Sequence, residues 1–152
     1  MKPGAIPNAY RQWTHLINAY TQGKLTKESD LLIALYGVAV WMKRTLFDDT
    51  YLTGLWKNHI VNQLLWMTYK NLNKGHPKKY RAPSWSWASV NGKIAFRDIL
   101  EVDEQTILAE VLEAHVVTRE KAGEVTDGWL SIKGKLLPAE WHQTLGWGCG
   151  CG

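Results

Sequence analysis

Nine of the 152 residues are tryptophan, and that feature restricts the chain more than any other. An indole that leaves water removes about 200 Å² of surface, worth about 5 kcal/mol at about 25 cal/mol per Å² before ordering costs are subtracted. A chain with so many is driven to build one sizeable core and to hide most of them in it. The background agrees: 45% hydrophobic and 21% charged residues are the proportions of a folded domain and argue against a disordered or collagen-like chain. No apolar run reaches the ~18 residues of a membrane span, and the opening MKPGAIPNAY lacks a signal-peptide apolar stretch. The expectation is a cytoplasmic protein with a single domain over residues 1–145 and a Gly/Cys-rich flexible tail over 146–152.

The only cysteines, Cys149 and Cys151, stand in that tail. Two ligands fall short of the four a structural zinc site needs, and a disulfide framework is excluded, so a reducing compartment is expected. The formal charge of +4 conceals an asymmetry. Residues 1–82 hold twelve Lys/Arg and four Asp/Glu, and residues 83–152 hold six and ten. Much of the basic excess is a loop over 70–81 with Lys70, Lys74, Lys78, Lys79 and Arg81 and no acid. Such a run could touch phosphates, but no nucleic-acid reader motif accompanies it, so a solvated loop is expected.

Trp13, Leu16, Ile17 and Tyr20 recur at helical spacing and predict a first helix near 8–21, stopped at Gln22-Gly23. Thr26 reads as an N-cap, with Glu28 and Asp30 in the first turn of a second helix. Its face runs through Leu31, Leu35, Val38 and Met42, widened by Leu32, Ala34, Ala39 and Trp41. This helix is expected to be deeply packed, with Gly37 marking close approach by another element. A third helical period runs from Asn58 through Ile60, Val61, Leu64 and Leu65 towards Tyr69, with Trp66 and Met67 flanking its face.

After the basic loop the period changes. Ser84-Trp85-Ser86-Trp87-Ala88-Ser89 alternates small polar and aromatic residues, which predicts an extended segment with both indoles on one face. Asn91-Gly92 reads as a turn before a short strand through Ile94 and Phe96. Alternation over 108–117 points Leu112, Ala114 and Val116 inward, and over 129–137 it points Leu130, Ile132 and Leu136 inward. Gly123 and Asp127-Gly128 punctuate the link, so the two form an antiparallel hairpin. Helices first and strands afterwards predict an α+β fold, with an N-terminal helical half packed on a C-terminal, mainly antiparallel sheet.

Chemistry-bearing patterns are sparse. The histidines at 15, 59, 76, 115 and 142 include no i, i+4 pair, and no nucleophile elbow, dinucleotide turn, P-loop or zincin motif occurs. Asp48 and Asp49 read as capping or solvated carboxylates, and with His59 they are the nearest candidates for an enzyme, though a weak set. The sequence therefore offers no catalytic residue, no cofactor site and no metal site. Trp85 and Trp87 read two ways. Exposed, they would stack on bases or sugar rings; buried, they would join sheet to helices, which their apolar neighbours Ala82, Pro83, Ala88 and Val90 favour.

The ordered pieces Trp13 followed by Tyr20, the Leu25-Thr26 to Asp30 step, Leu35-x-Gly37-x-Ala39, Tyr51-Leu52-x-Gly54-Leu55-Trp56, Leu64-Leu65-Trp66 and Tyr80-Arg81-Ala82-Pro83-Ser84-Trp85-Ser86-Trp87-Ala88-Ser89 resemble the region that follows the HET (heterokaryon incompatibility) domain in large fungal proteins. The most specific pieces are Gly54-Leu55-Trp56 and Pro83 through Ser89. A weaker likeness continues through Gly128-Trp129-Leu130 and Ile132-x-Gly134. The resemblance implies a role in fungal nonself recognition and programmed cell death. The HET core itself, with its own motifs, is not in this chain, so none of its effector residues carries over.

Two functions are therefore expected to compete. One is a non-catalytic packing and interaction module of a heterokaryon-incompatibility-like protein, with a protein partner, no membrane, no nucleic acid and no small-molecule ligand. The other is a Trp-rich module that binds nucleic acid or glycan through Trp85, Trp87 and the basic 70–81 loop. A module of the first kind should expose an apolar patch where its partner packs.

Overall fold

The computed structural model describes residues 8–23, 30–44, 49–73, 75–96, 108–119, 124–136 and 138. Helix α1 (Asn8–Gln22) buries Tyr10, Trp13, Thr14 and Ile17, the stripe that its apolar spacing requires. Thr21 lies half-buried near its end. Its Oγ donates to the Ile17 carbonyl at 2.9 Å and accepts the Ile94 N–H at 3.1 Å, which ties α1 to the strand that carries Ile94. Helix α2 (Asp30–Lys43) follows; the Thr26 cap and Glu28 lie outside the described residues.

The chain then turns back on itself in a minimal hairpin, β1 (Tyr51–Leu52) against β2 (Leu55–Trp56). The two-residue loop needs positive φ at both central positions, and Thr53 and Gly54 stand at 51° and 94°. Glycine adopts this freely, whereas threonine is strained there. A 3-10 turn over Lys57–His59 runs into a single α-turn, α3 (Ile60–Gln63). Strand β3 (Trp66–Asn73) pairs antiparallel with β4 (Gly92–Phe96), and β5 (Ala109–Thr118) pairs antiparallel with β6 (Val125–Gly134). The fold is α+β, with helices leading and antiparallel strand pairs following, as expected. No described helix is long and apolar enough to cross a membrane.

Several local expectations are corrected. The third helix ends at Gln63, and Trp66 to Tyr69 belong to β3, where burial alternates: Trp66 and Thr68 are half-covered, Met67 and Tyr69 exposed. Aromatic and β-branched residues suit that pleat better than a helix. The Trp85–Trp87 segment is not extended. Pro83 begins a turn closed by the Ser86 N–H on the Pro83 carbonyl, and Trp87–Ser89 form a 3-10 turn. The Ser86 hydroxyl caps it by accepting the Ala88 N–H at 3.1 Å.

The expected hairpin over 108–137 is present, but a bulge changes its faces. Val111 pairs with Ile132 and Glu113 with Ser131, so Leu112 is the extra residue and turns outward. Ala114, Val116 and Leu130 pack against the core. Ile132 and Leu136, expected inside, are exposed; Leu136 lies beyond the end of β6.

The core sits where α1, the inner face of α2, the minimal hairpin, the Trp87 turn and β4 meet. Its fully enclosed side chains include Trp13, Trp56, Trp87, Ile17, Leu35, Leu55 and Ile94. A Cβ added at Gly54 would lie 2.5 Å from Trp87 Nε1, on top of a backbone angle that disfavours any side chain. Gly54→Ala is expected to lower unfolding free energy by about 3 kcal/mol. Gly37, contrary to expectation, is exposed and a Cβ there meets nothing within 4 Å. Gly37→Ala should therefore raise stability by about 1 kcal/mol. Urea unfolding midpoints of the two variants check both signs.

Candidate interaction surface

The motif residues singled out in the sequence converge on one point, the turn of the minimal hairpin. The Gly54 carbonyl accepts two indole N–H groups, Trp13 Nε1 at 2.8 Å from α1 and Trp87 Nε1 at 3.0 Å from the 3-10 turn. Next to it, the Ser86 hydroxyl donates to the Thr53 carbonyl at 2.6 Å. Leu55, Trp56, Pro83, Ala88 and Ser89 are buried around this junction, Trp66 and Trp85 are half-covered, and Ser84 is exposed. Trp66 Nε1 donates to the Trp85 carbonyl at 2.9 Å, tying β3 to the same turn.

Two polar side chains whose burial sequence reasoning missed hold the surroundings. Gln63 is fully buried, and its amide pairs with both backbone groups of Trp56: Oε1 accepts the N–H at 3.0 Å and Nε2 donates to the carbonyl at 2.9 Å. It thus takes the place of a neighbouring strand, which the outer edge of β2 lacks among the described residues. Asp49, expected to be capping or solvated, is 1% exposed. Oδ2 accepts the Tyr10 hydroxyl at 2.7 Å, and Oδ1 accepts the backbone N–H of Thr50 at 2.7 Å and of Asn58 at 3.0 Å. The last of these caps the 3-10 turn at 57–59. His59 packs edge-on against Tyr10, ring centroids 4.3 Å apart; Asp48 lies outside the described residues.

The basic stretch over 70–81 is not one loop, because Lys70 belongs to strand β3, and its remainder divides likewise. Arg81 Nε donates to the Ala88 carbonyl at 2.7 Å and Nη2 to the Val90 carbonyl at 2.9 Å, while His76 Nδ1 lies 2.8 Å from the Ser89 carbonyl. Lys78 and Lys79 are exposed, and Lys74 lies outside the described residues. Among the described residues no three His, Cys, Asp or Glu side chains group as metal ligands. Cys149 and Cys151, like the tail, lie outside the described residues.

The junction leaves part of the surface apolar. Helix α2 buries Leu31, Leu32, Leu35, Ala39 and Met42. The deep packing expected for it is half true. Ile33 is 52% exposed, Val40 48% and Trp41 67%, and Tyr36 and Val38 are exposed beside them. Ile33, Gly37 and Trp41 are one helical turn apart, so the outer stripe is continuous. The β5–β6 ribbon adds Leu112 and Ile132, with Trp129 stacked on His115 at 4.3 Å between ring centroids.

The chain matches no protein-family model, no curated protein and no solved structure.

Two buried phenols give this core a pH signature. Burial raises the pKa of Tyr10, reinforced by the Asp49 carboxylate, and burial raises that of Tyr51. Unfolded tyrosine ionises near pH 10, so above that pH the unfolded chain releases protons that the folded chain retains, and stability falls as pH rises. Each phenol contributes a slope of up to about 1.4 kcal/mol per pH unit. Unfolding free energy should show no tyrosine-linked change below about pH 9 and decline above pH 10, with a shallower decline in Tyr10→Phe. Denaturant titrations between pH 8 and 12 measure it.

Proposed function

We propose that this chain is a non-catalytic packing and interaction module of a heterokaryon-incompatibility-type protein, acting in the cytoplasm through contact with a protein partner. The observation that carries the reading is the outer face of α2. A helix apolar on all sides belongs between two layers, yet here Ile33, Tyr36, Val40 and Trp41 face outward while Leu31, Leu35 and Met42 fill the core. Contiguous exposed apolar side chains of this kind mark protein contact surfaces. The HET-like motif residues, by contrast, are consumed in the core as structure. The partner this implies is the effector part of a HET-type protein.

The alternative, a nucleic-acid or glycan module, needs two indoles with open faces. Trp87 has no exposed surface, and Arg81 of the basic loop is engaged with backbone carbonyls, so the interaction reading is favoured.

Trp41→Glu leaves the core untouched because the side chain is two-thirds exposed. It should weaken association with a separately expressed HET effector domain about tenfold or more, while the unfolding free energy stays within about 0.5 kcal/mol of that of the unaltered chain. Calorimetric titration measures the first and thermal unfolding the second. Growth arrest caused by the chain alone, or consumption of a nucleotide cofactor by the purified chain, would overturn the reading.

A further inference from the structure

A cleft of about 680 Å³ lies between α2, the β1 arm of the minimal hairpin and the β5–β6 ribbon. Sites for small molecules typically occupy about 300–1,000 Å³ and combine an apolar lining with a few polar groups. Leu32, Val116 and Val125 supply the apolar surface, and the Tyr36 and Tyr51 rings, 6.0 Å apart and tilted by 55°, form an aromatic wall. The polar lining is neutral or basic. It includes Thr50, Thr53, Thr118 and Arg119, while the ring of His115 is stacked on Trp129, and no carboxylate belongs to the lining among the described residues.

Among the described residues, the acids beside the lining in sequence or hydrogen-bonded to it do not alter that balance. Asp49, next to Thr50, is turned inward onto Tyr10 and two backbone amides. Glu124 meets Arg119 through its backbone carbonyl, which accepts the Arg119 N–H at 2.9 Å, and its side chain is not part of the lining. Arg119 is itself exposed, so its guanidinium can close on a bound anion without leaving a buried partner behind.

We infer that this cleft binds a small amphipathic anion, an aromatic body carrying one carboxylate or sulfonate, with the rings of Tyr36 and Tyr51 against the body and Arg119 on the charged head. This goes beyond the interaction-module reading and shares only Tyr36 with the outer face of α2.

The probe is 8-anilino-1-naphthalenesulfonate, whose aromatic body and sulfonate fit this description and whose emission reports binding. The unaltered chain should bind it at one saturable site. Arg119→Gln should weaken binding about fivefold or more, as should raising salt from about 50 mM to about 500 mM. Ala114→Phe, which places a ring in the cleft, should abolish it, and Trp41→Glu should leave it unchanged. Arg119→Gln alters an exposed side chain, so it decides the matter even where Ala114→Phe fails to fold. Equal binding by Arg119→Gln and the unaltered chain, or loss of binding in Trp41→Glu alone, overturns the inference. The second result would put the dye on the helix face, which leaves the interaction reading standing.

Discussion

One carbonyl oxygen, that of Gly54, organises the molecule. Its two lone pairs are both used, by indoles 41 and 33 residues away in sequence, so α1, the minimal hairpin and the Trp87 turn are pinned to a single atom. A buried indole N–H without an acceptor costs about 1–3 kcal/mol, and two such donors can share this acceptor only if the turn itself is buried. Turns ordinarily run on the surface, where water satisfies their backbone. Here Leu52, Thr53, Gly54, Leu55 and Trp56 are buried and Tyr51 half-buried, and glycine is required twice over. It supplies the positive φ, and it lets the Trp87 ring approach where a Cβ would stand.

Burying a turn transfers its hydrogen-bonding needs to side chains, and the polar members of the core answer that need. The Thr53 carbonyl goes to Ser86, both backbone groups of Trp56 go to Gln63, and the amides of Thr50 and Asn58 go to Asp49. These residues do the work of a neighbouring strand for a hairpin that has none among the described residues. The phenol of Tyr10 completes the Asp49 site from α1, so a second long-range tie runs parallel to the one at Gly54. The raised pKa of Tyr10 is a consequence of the same burial.

The overall class and the two long helices were legible because apolar periodicity over fourteen or fifteen residues is a strong signal. So was the 108–137 hairpin, through its alternation and punctuating glycines. The failures have local causes. Ile60, Val61, Leu64 and Leu65 keep helical spacing up to the boundary of β3, and only the pairing of Trp66 with Phe96, distant in sequence, ends it. Serine alternating with tryptophan looks like a strand, yet Ser86 uses its hydroxyl to cap a turn and to reach Thr53, a long-range bond that no local pattern encodes. The motif residues Gly54, Leu55, Trp56 and Pro83 to Ser89 were legible as a group, although nothing in their order showed that they surround one carbonyl. Asp49 and Gln63 were missed because a polar residue reveals its burial only through partners elsewhere in the chain. Leu112 was misplaced by a bulge, which shifts the inward phase from Val111 to Ala114 while leaving the alternation on either side intact.

The division between buried and exposed tryptophans follows from the junction. Trp13, Trp56 and Trp87 are fully enclosed and Trp66 and Trp85 half-covered, and every one of them belongs to the network around the hairpin. Trp41 and Trp129 lie outside that network and are exposed. Their exposure is therefore not a shortage of core: the sites the junction can fill are filled, and a two-stranded ribbon and a single helix have faces left over. Two-stranded pairs are marginal by themselves and gain stability from what packs on them. In this chain the packing on the inner sides is complete at Gly128, where a Cβ would meet the Pro83 ring at 2.6 Å, and the outer sides of α2 and the ribbon carry Trp41, Val40, Leu112 and Ile132 to the surface. A fold held from within by indoles can present aliphatic residues outward without loosening its core, which is the physical requirement for a module that acts by contact.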